Sequence, residues 1–371
     1  MHKRLALTLL AVAALGCVAT AALSQDAPKP ADPAQPAKDA PETPKEEPKE
    51  EPKQEPKAED PADLKQAPRP VDPRLYRVGE LIEDLSFTDI EGKAGKLSDY
   101  KGKPLVIAMT NTTCPICKKY GPTLAELHKE LADKGVALLL LNTSALDTPE
   151  IAREAVAKYK FASRYVLDAK GELAAALRAN STGDCFVLDG ARTLAYRGAV
   201  DDQYGLGYAL EKPRRQYLRD AVASVLAGQV PYWRATWAPG CDLEFKPAAG
   251  STTITWHNRV SRIIEQNCQE CHRKGENGPF ELMTYADVKA NAPTIKREVR
   301  KGTMPPWFAT KEHGDWYNDR SLSERDKSDL VSWLENGMPE GDAADAPAAR
   351  NWPEGWRIGK PDEIVSIPKE F

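Results

Sequence analysis

The run Cys268-Gln269-Glu270-Cys271-His272 constrains this chain more than any other stretch in it. Two thiols separated by two residues and followed directly by an imidazole have the spacing of a c-type haem attachment site. Each sulfur closes a thioether on a vinyl group, and the His takes an axial iron position. The competing reading, a zinc half-site, needs further ligands to complete a tetrahedron, and no second Cys-x-x-Cys or His pair stands nearby. One covalent haem c held by Cys268, Cys271 and His272 is the expectation.

The chain has 371 residues, room for two or three domains at about 100–200 residues each. A formal net charge of −4 leaves no overall basic surface of the kind nucleic acid requires. Residues 1–24 read as a signal peptide or membrane anchor: His2, Lys3 and Arg4 precede an apolar run from Leu5 to Leu23, with small-x-small patterns at Ala19-Thr20-Ala21 and Ala22-Leu23-Ser24. Cys17, after Ala14-Leu15-Gly16, resembles a lipoprotein box that lacks the usual first Leu. Every one of these fates exports the chain, which places it in the periplasm or on a membrane facing it. Residues 25–70 are dominated by Pro, Lys, Glu and Ala and repeat Glu-Glu-Pro-Lys at Glu46 and Glu50. Too little apolar surface is present there to offset chain entropy, so a disordered linker is expected.

From Val71 to 230 the pattern is that of a compact α/β domain. Leu105 to Met109 and Val136 to Leu141 are continuous apolar runs, as strands buried on both faces require. Between them Leu124, Leu127 and Leu131 recur at helical spacing over Pro115–Lys134. A second helix is expected over Pro149–Lys160 with Thr148 as N-cap. A hairpin follows, Cys185–Leu188 with Leu194–Arg197 around Asp189-Gly190, and then a last helix over Arg214–Leu226. The order β-α-β-α-β-β-α, with an extra strand pair before it, is a thioredoxin-like topology.

Cys114-Pro115-Ile116-Cys117 lies between the first buried strand and the first helix. A thiol at a helix start meets unpaired N–H groups and the positive dipole end, which favour thiolate. Pro115 suits the first turn, where its missing N–H would have had no partner. Cys114 is therefore the expected exposed nucleophile and Cys117, one turn on, the resolving thiol. An inert structural disulfide is the plain alternative. The Cys-Pro-x-Cys form resembles that of glutaredoxins and oxidising periplasmic disulfide enzymes. Its surroundings, from Val78-Gly79-Glu80 through Lys103-Pro104, resemble the redoxin or peroxiredoxin-like branch.

Peroxiredoxins carry Pro-x-x-x-Thr-x-x-Cys, but Asn111 and Ile107 hold the Thr and Pro places here. Related disulfide oxidoreductases set a cis-Pro before the hairpin strand, and Gly183 takes that place in Thr182-Gly183-Asp184-Cys185. Cys185 would then be an extra thiol facing the site. Copper-delivery thioredoxin folds use Cys-x-x-x-Cys and a later His, whereas this domain offers only His128.

Residues 231–254 form a connector punctuated by Pro231, Pro239, Gly240, Pro247 and Gly250. Its Cys241 invites a disulfide with Cys185. Residues 255–345 read as a mainly α domain. A helix over His257–Gln266 leads into the haem motif, and a last helix over Ser323–Asn336 has Ser323 as N-cap and Gly337 just beyond. Candidate sixth ligands are Met283, Met304, Met338, His257 and His313. Met304 is preferred: it lies in Gly302-Thr303-Met304-Pro305-Pro306-Trp307, before the last helix, where small class I cytochromes c place their Met loop. Residues 346–371 form a tail.

Taken together, Cys114-Pro115, Phe186-Val187-Leu188-Asp189, Gly198-x-Val200-Asp201-Asp202, Gly240-Cys241, the haem motif and Met304-Pro305-Pro306-Trp307 resemble a family of exported bacterial proteins. These fuse a redoxin-like domain to a cytochrome c-like domain, and the resemblance spans roughly residues 75–345. It implies a thiol–disulfide or electron-transfer oxidoreductase that couples the dithiol to the haem and works with a redox protein partner. A peroxidase drawing haem-delivered electrons, and a redoxin-fold recognition module carrying a haem electron carrier, are the alternatives.

Overall fold

The computed structural model describes residues 67–245, 253–309, 311–314, 316, 318–352, 361–363 and 365. The export segment, Cys17 and most of the linker lie outside the described residues. The linker's last residues do not: Ala67 is buried, the Arg69 guanidinium lies 5.4 Å from the Trp237 ring centre, and Pro70 bridges Thr236.

A short hairpin, β1 (Ser86–Thr88) and β2 (Ala94–Lys96), precedes the main elements. These are β3 (Leu105–Met109), α1 (Pro115–Asp133), β4 (Ala137–Asn142), α2 (Pro149–Tyr159), β5 (Arg164–Leu167), α3 (Glu172–Ala176), β6 (Cys185–Leu188) and β7 (Leu194–Gly198). A two-residue pair, β8 (Tyr204–Gly205) and β9 (Tyr208–Ala209), leads to α4 (Tyr217–Leu226). The sheet order is β5-β4-β3-β6-β7, with β3, β4 and β5 parallel and β6 and β7 antiparallel. This is a thioredoxin-like sheet.

Side chains alternate between its faces. Val106, Ala108, Leu138, Leu140 and Val187 pack against Leu124 and Leu127 of α1 and Leu218 and Val222 of α4. Leu105, Ile107, Leu139, Leu141 and Phe186 turn the other way, onto Ile82, Leu97, Leu173 and Leu177. Apolar residues on both faces make β3 and β4 read as unbroken runs. Thr148 caps α2 as expected, while α4 begins at Tyr217, three residues later than its sequence pattern.

Strand β5 and helix α3 are among the elements that escaped the sequence reading. Strand β5 opens on Arg164, whose guanidinium bonds Asp89 at 2.7 Å, and so shows no clean apolar run. Helix α3 is only five residues long.

A buried ion pair fixes the loop before β6. Asp184 and Arg197 are 0% and 1% exposed, and Asp184 Oδ2 also accepts the Asn180 and Ser181 N–H groups at 2.9 and 3.1 Å. Removing one partner strands the other charge in the interior. Asp184→Ala is expected to cost about 3–5 kcal/mol in urea unfolding.

Residues 253–345 form a smaller helical unit. A wide π-type turn, Trp256–Val260, capped by Thr255, feeds α5 (Ser261–Asn267), so the expected single helix is two pieces. Next come α6 (Tyr285–Ala290), α7 (Ala292–Lys301) and α8 (Glu324–Glu335), the last capped by Ser323 as expected. Val260, Ile263, Ile264, Val288, Ile295, Val299, Leu330 and Trp333 are its core. Arg262 of α5, 1% exposed, reaches into the β6–β7 loop, bonding Thr193 Oγ1 at 3.0 Å. Gln266 donates to the Gly79 carbonyl at 2.9 Å. The helix that ends at Cys268 is thereby fixed against the sheet domain. No helix among the described residues is long and apolar enough to cross a membrane.

Candidate functional site: a dithiol with a third thiol beside it

Cys114 is the N-cap residue of α1 and Pro115 its first helical residue. The approach to the helix is a tight turn held by Asn111, whose Oδ1 accepts N–H bonds from Thr113 and Cys114, both at 2.8 Å. Thr112 donates to Asp147 at 2.8 Å, and Asn142 ties the same carboxylate to Tyr165. A cleft of about 310 Å³ runs beside Cys117, between Asn111, Lys118, Tyr159 and Tyr165.

Thr182, in the loop fixed by Asp184, faces the dithiol. Its hydroxyl donates to Cys114 Sγ at 3.2 Å, and its carbonyl accepts from the Cys117 thiol at 3.2 Å. The Cys114 sulfur thus sits among donors. The hydrogen bond from Cys117 acts most strongly, against burial, and the Thr182 hydroxyl, the Cys117 N–H and the Cys241 thiol add to it. Together they hold Cys114 down to about 4, while the adjacent thiolate and burial push Cys117 well above an ordinary thiol. The arrangement favours the thiolate at Cys114 and the proton at Cys117.

The alkylation rate of Cys114, followed by peptide mass, should therefore be flat at neutral pH and fall as pH drops through about 4. A hydrogen bond to a charged group contributes about 1.5–3 kcal/mol, so Thr182→Val should move that fall upward by roughly one pH unit or more, and Thr182→Ser should restore it.

Three sequence expectations need correction. Cys114 is not exposed: only 2% of it is accessible, and Ala238 of the connector packs in the same cluster. Cys185 and Cys241 are not joined, all six described cysteines being free. Cys185 is enclosed in β6 at 1% exposure, and burial pushes its thiol far up. Cys241 instead lies against Cys114. Its N–H donates to Thr182 Oγ1 at 2.9 Å and its carbonyl accepts the Thr182 N–H at 2.9 Å.

Thr182 and this contact were missed because they depend on a long-range backbone pairing. The only sequence signals were the glycines. A Cβ on Gly183 would collide with the Pro239 carbonyl, and one on Gly240 with Ser181 and the Gly183 N–H. Gly183 at the usual Pro place is what lets the connector approach.

In the helical unit the structure brings Cys268, Cys271 and His272 into one turn: the N–H groups of Cys271 and His272 bond the Cys268 carbonyl at 3.1 and 3.0 Å. His272 Nδ1 is 2.9 Å from the Phe280 carbonyl, which fixes the ring and leaves Nε2 available. Gly278 is close-packed there, since a Cβ would meet His272 Nδ1 at 2.8 Å. Met304 stands in a separate loop between α7 and α8, 41% exposed, with Phe308 at 91% and Trp316 at 46% in the same segment. Among the described residues no group of three or more His, Cys, Asp or Glu side chains is placed to hold a metal ion. Two thiols in one turn followed by an imidazole oriented through Nδ1 are a donor set that fits a covalently held haem.

Residues 78–199 match the AhpC/TSA family. They form a redoxin domain. Thiol-disulfide oxidoreductase ResA of Bacillus thuringiensis subsp. konkukian is 29% identical over 96 residues, 26% of this chain and 54% of that protein. ResA of Geobacillus kaustophilus is 32% identical over 90 residues, 24% of this chain and 47% of its own. The chain thus spans about half the length of the curated relatives it matches. A hypothetical protein from Sinorhizobium meliloti, 27% identical, is covered over 100% of its length and 50% of this chain, with a TM-score of 0.42. The helical unit lies outside the matched redoxin segment.

Proposed function

We propose that this protein is an exported thiol–disulfide oxidoreductase in which the Cys114–Cys117 dithiol is coupled to one c-type haem. The observation that carries the first part is the Cys114 sulfur at the start of α1, accepting from the Thr182 hydroxyl at 3.2 Å, with the Cys117 thiol one turn on. Relatives named thiol-disulfide oxidoreductase ResA support the same chemistry and a redox protein as partner. A peroxidase reading has less support, because Asn111, at the place of the peroxiredoxin Thr, is engaged in holding the turn.

Exchange follows from the two environments. The Cys114 thiolate attacks one sulfur of a partner disulfide, a Cys114–partner bond forms and the partner's other sulfur leaves as thiolate. Cys117 loses its proton and attacks Cys114, closing Cys114–Cys117 and releasing the partner reduced. In reverse the same steps oxidise a partner dithiol. Cys114 is the better leaving group because its thiolate is the more stabilised.

Cys268 and Cys271 would hold the haem covalently, with His272 Nε2 and Met304 as its iron ligands. Bound there, the group would supply one-electron exchange with a respiratory carrier. Met304 is favoured over Met338, which packs on the helical core and whose carbonyl accepts from Tyr285 at 2.8 Å. The test is a redox titration of the purified protein that follows haem absorbance and thiol labelling together. Coupling predicts that both respond on one sample, and two centres that never exchange electrons would break it.

A further inference from the structure

Cys114 is the reactive thiol of the redoxin domain, yet it is 2% exposed, while Cys241 beside it is open to solvent. The connector does not merely pass by. It pairs with the loop facing the dithiol in one antiparallel bridge: Ser181 bridges Asp242, the Thr182 N–H bonds the Cys241 carbonyl and the Leu243 N–H bonds the Asn180 carbonyl, both at 2.9 Å. Pairing of this kind is how an extended peptide is recognised by backbone alone. Gly183 and Gly240 have no Cβ where the two backbones meet, so the approach is built into the sequence. One hydroxyl, that of Thr182, donates to Cys114 and accepts from the Cys241 N–H, which sets the two residues side by side.

We propose that Cys241 is a third redox thiol, an intramolecular partner that carries the disulfide between the buried Cys114–Cys117 pair and the protein surface. The proposal rests on the thiol–disulfide reading above. Starting from a Cys114–Cys117 disulfide, the deprotonated Cys241 attacks the Cys114 sulfur. A Cys241–Cys114 bond forms, the Cys114–Cys117 bond breaks, and Cys117 leaves as thiolate and takes up a proton; no net oxidation occurs. A partner dithiol then attacks the exposed Cys241 sulfur, and Cys114 departs as its stabilised thiolate. The partner's second thiol releases Cys241 and closes the partner's disulfide, so the two electrons of the partner dithiol end on the Cys114–Cys117 pair and Cys241 returns to its starting thiol. The reverse sequence reduces a partner disulfide that enters at Cys241.

The test uses the full haem-bearing chain, reduced and then exposed to oxidised glutathione, with peptide mapping under non-reducing conditions. Cys117→Ser is expected to end as a Cys114–Cys241 disulfide free of glutathione; Cys117→Ala replaces it if the hydroxyl is not tolerated in that buried place. Cys241→Ser is expected to slow closure of the Cys114–Cys117 bond at least about tenfold, because the remaining nucleophile is enclosed. Glutathione persisting on Cys114 or Cys241 in the Cys117 variants, or Cys241→Ser closing its bond at the wild-type rate, overturns the proposal and leaves the dithiol reading standing. Wild-type protein that never closes Cys114–Cys117 sinks both.

Discussion

Cys114→Ser should lower thiol–disulfide exchange by at least about three orders of magnitude, to the level of the remaining thiols. The reason is how charge is distributed among the neighbouring sulfurs. Cys114 alone is held down to about 4, whereas Cys117 and Cys241 are both pushed up, Cys117 mainly by the thiolate beside it and Cys241, though exposed, by partial loss of water and that thiolate. An ordinary thiol near 8.5 is only a few per cent thiolate at pH 7, so neither neighbour can take over without Cys114. A low pKa weakens intrinsic nucleophilicity somewhat, but it favours Cys114 more strongly as a leaving group, so both half-reactions centre on it.

Cys117→Ser should still react once with a disulfide. With Cys241 beside it, however, stable trapping of a partner on Cys114 is expected only when Cys117 and Cys241 are both replaced. The assay is reduction of a protein disulfide with a small-molecule reductant in excess, with thermal unfolding to show that the variants fold. If Cys114→Ser retains more than about a tenth of the wild-type rate, the nucleophile has been assigned to the wrong sulfur.

The parts of this architecture that could be read from the sequence were those set by local pattern. Strands β3 and β4 announce themselves because both faces of the sheet are covered, and α1 and α2 because apolar spacing and Thr148 act within a few residues. The placement of Cys114 at a helix start was equally local. What failed depended on distant backbone. Cys114 shares its buried cluster with Ala238 of the connector, a segment that carries no periodicity and arrives from beyond α4.

Gly183 is the instructive residue. At a place where relatives of this fold carry Pro, Gly looked like a loss of exchange machinery. It is required by the Pro239 carbonyl pressed against it, and it accompanies a different way of covering the dithiol. The split between the π-type turn and α5 was hidden for the same reason. Trp256 and Val260 keep helical spacing, and the widened turn is stabilised by Thr255 and Asn258 capping each other and by bonds from Trp256 and His257 to Pro339 and Glu340 after α8.

The haem assignment makes the other large prediction. Protein matured with a c-type attachment system should keep its Soret-absorbing group through acid–acetone extraction, and Cys268→Ala/Cys271→Ala should lose all covalent attachment. The two sulfurs lie within one turn at the end of α5, and the backbone bonds from Cys271 and His272 to the Cys268 carbonyl set their relative placement. The imidazole should bind through Nε2, because Nδ1 is taken by the Phe280 carbonyl, an arrangement that fixes ring orientation and ligand basicity.

Met304→Ala should then abolish the near-infrared sulfur-to-iron band of the oxidised protein and lower its potential, since a thioether favours ferrous iron. Met338→Ala should change neither, because its backbone and side chain are engaged with Trp333, Tyr285 and the helical core. Pigment that extracts freely from the wild type would end the haem reading altogether. Loss of the band in Met338→Ala with Met304→Ala unaffected would keep the haem but move its sixth ligand to the far side of α8.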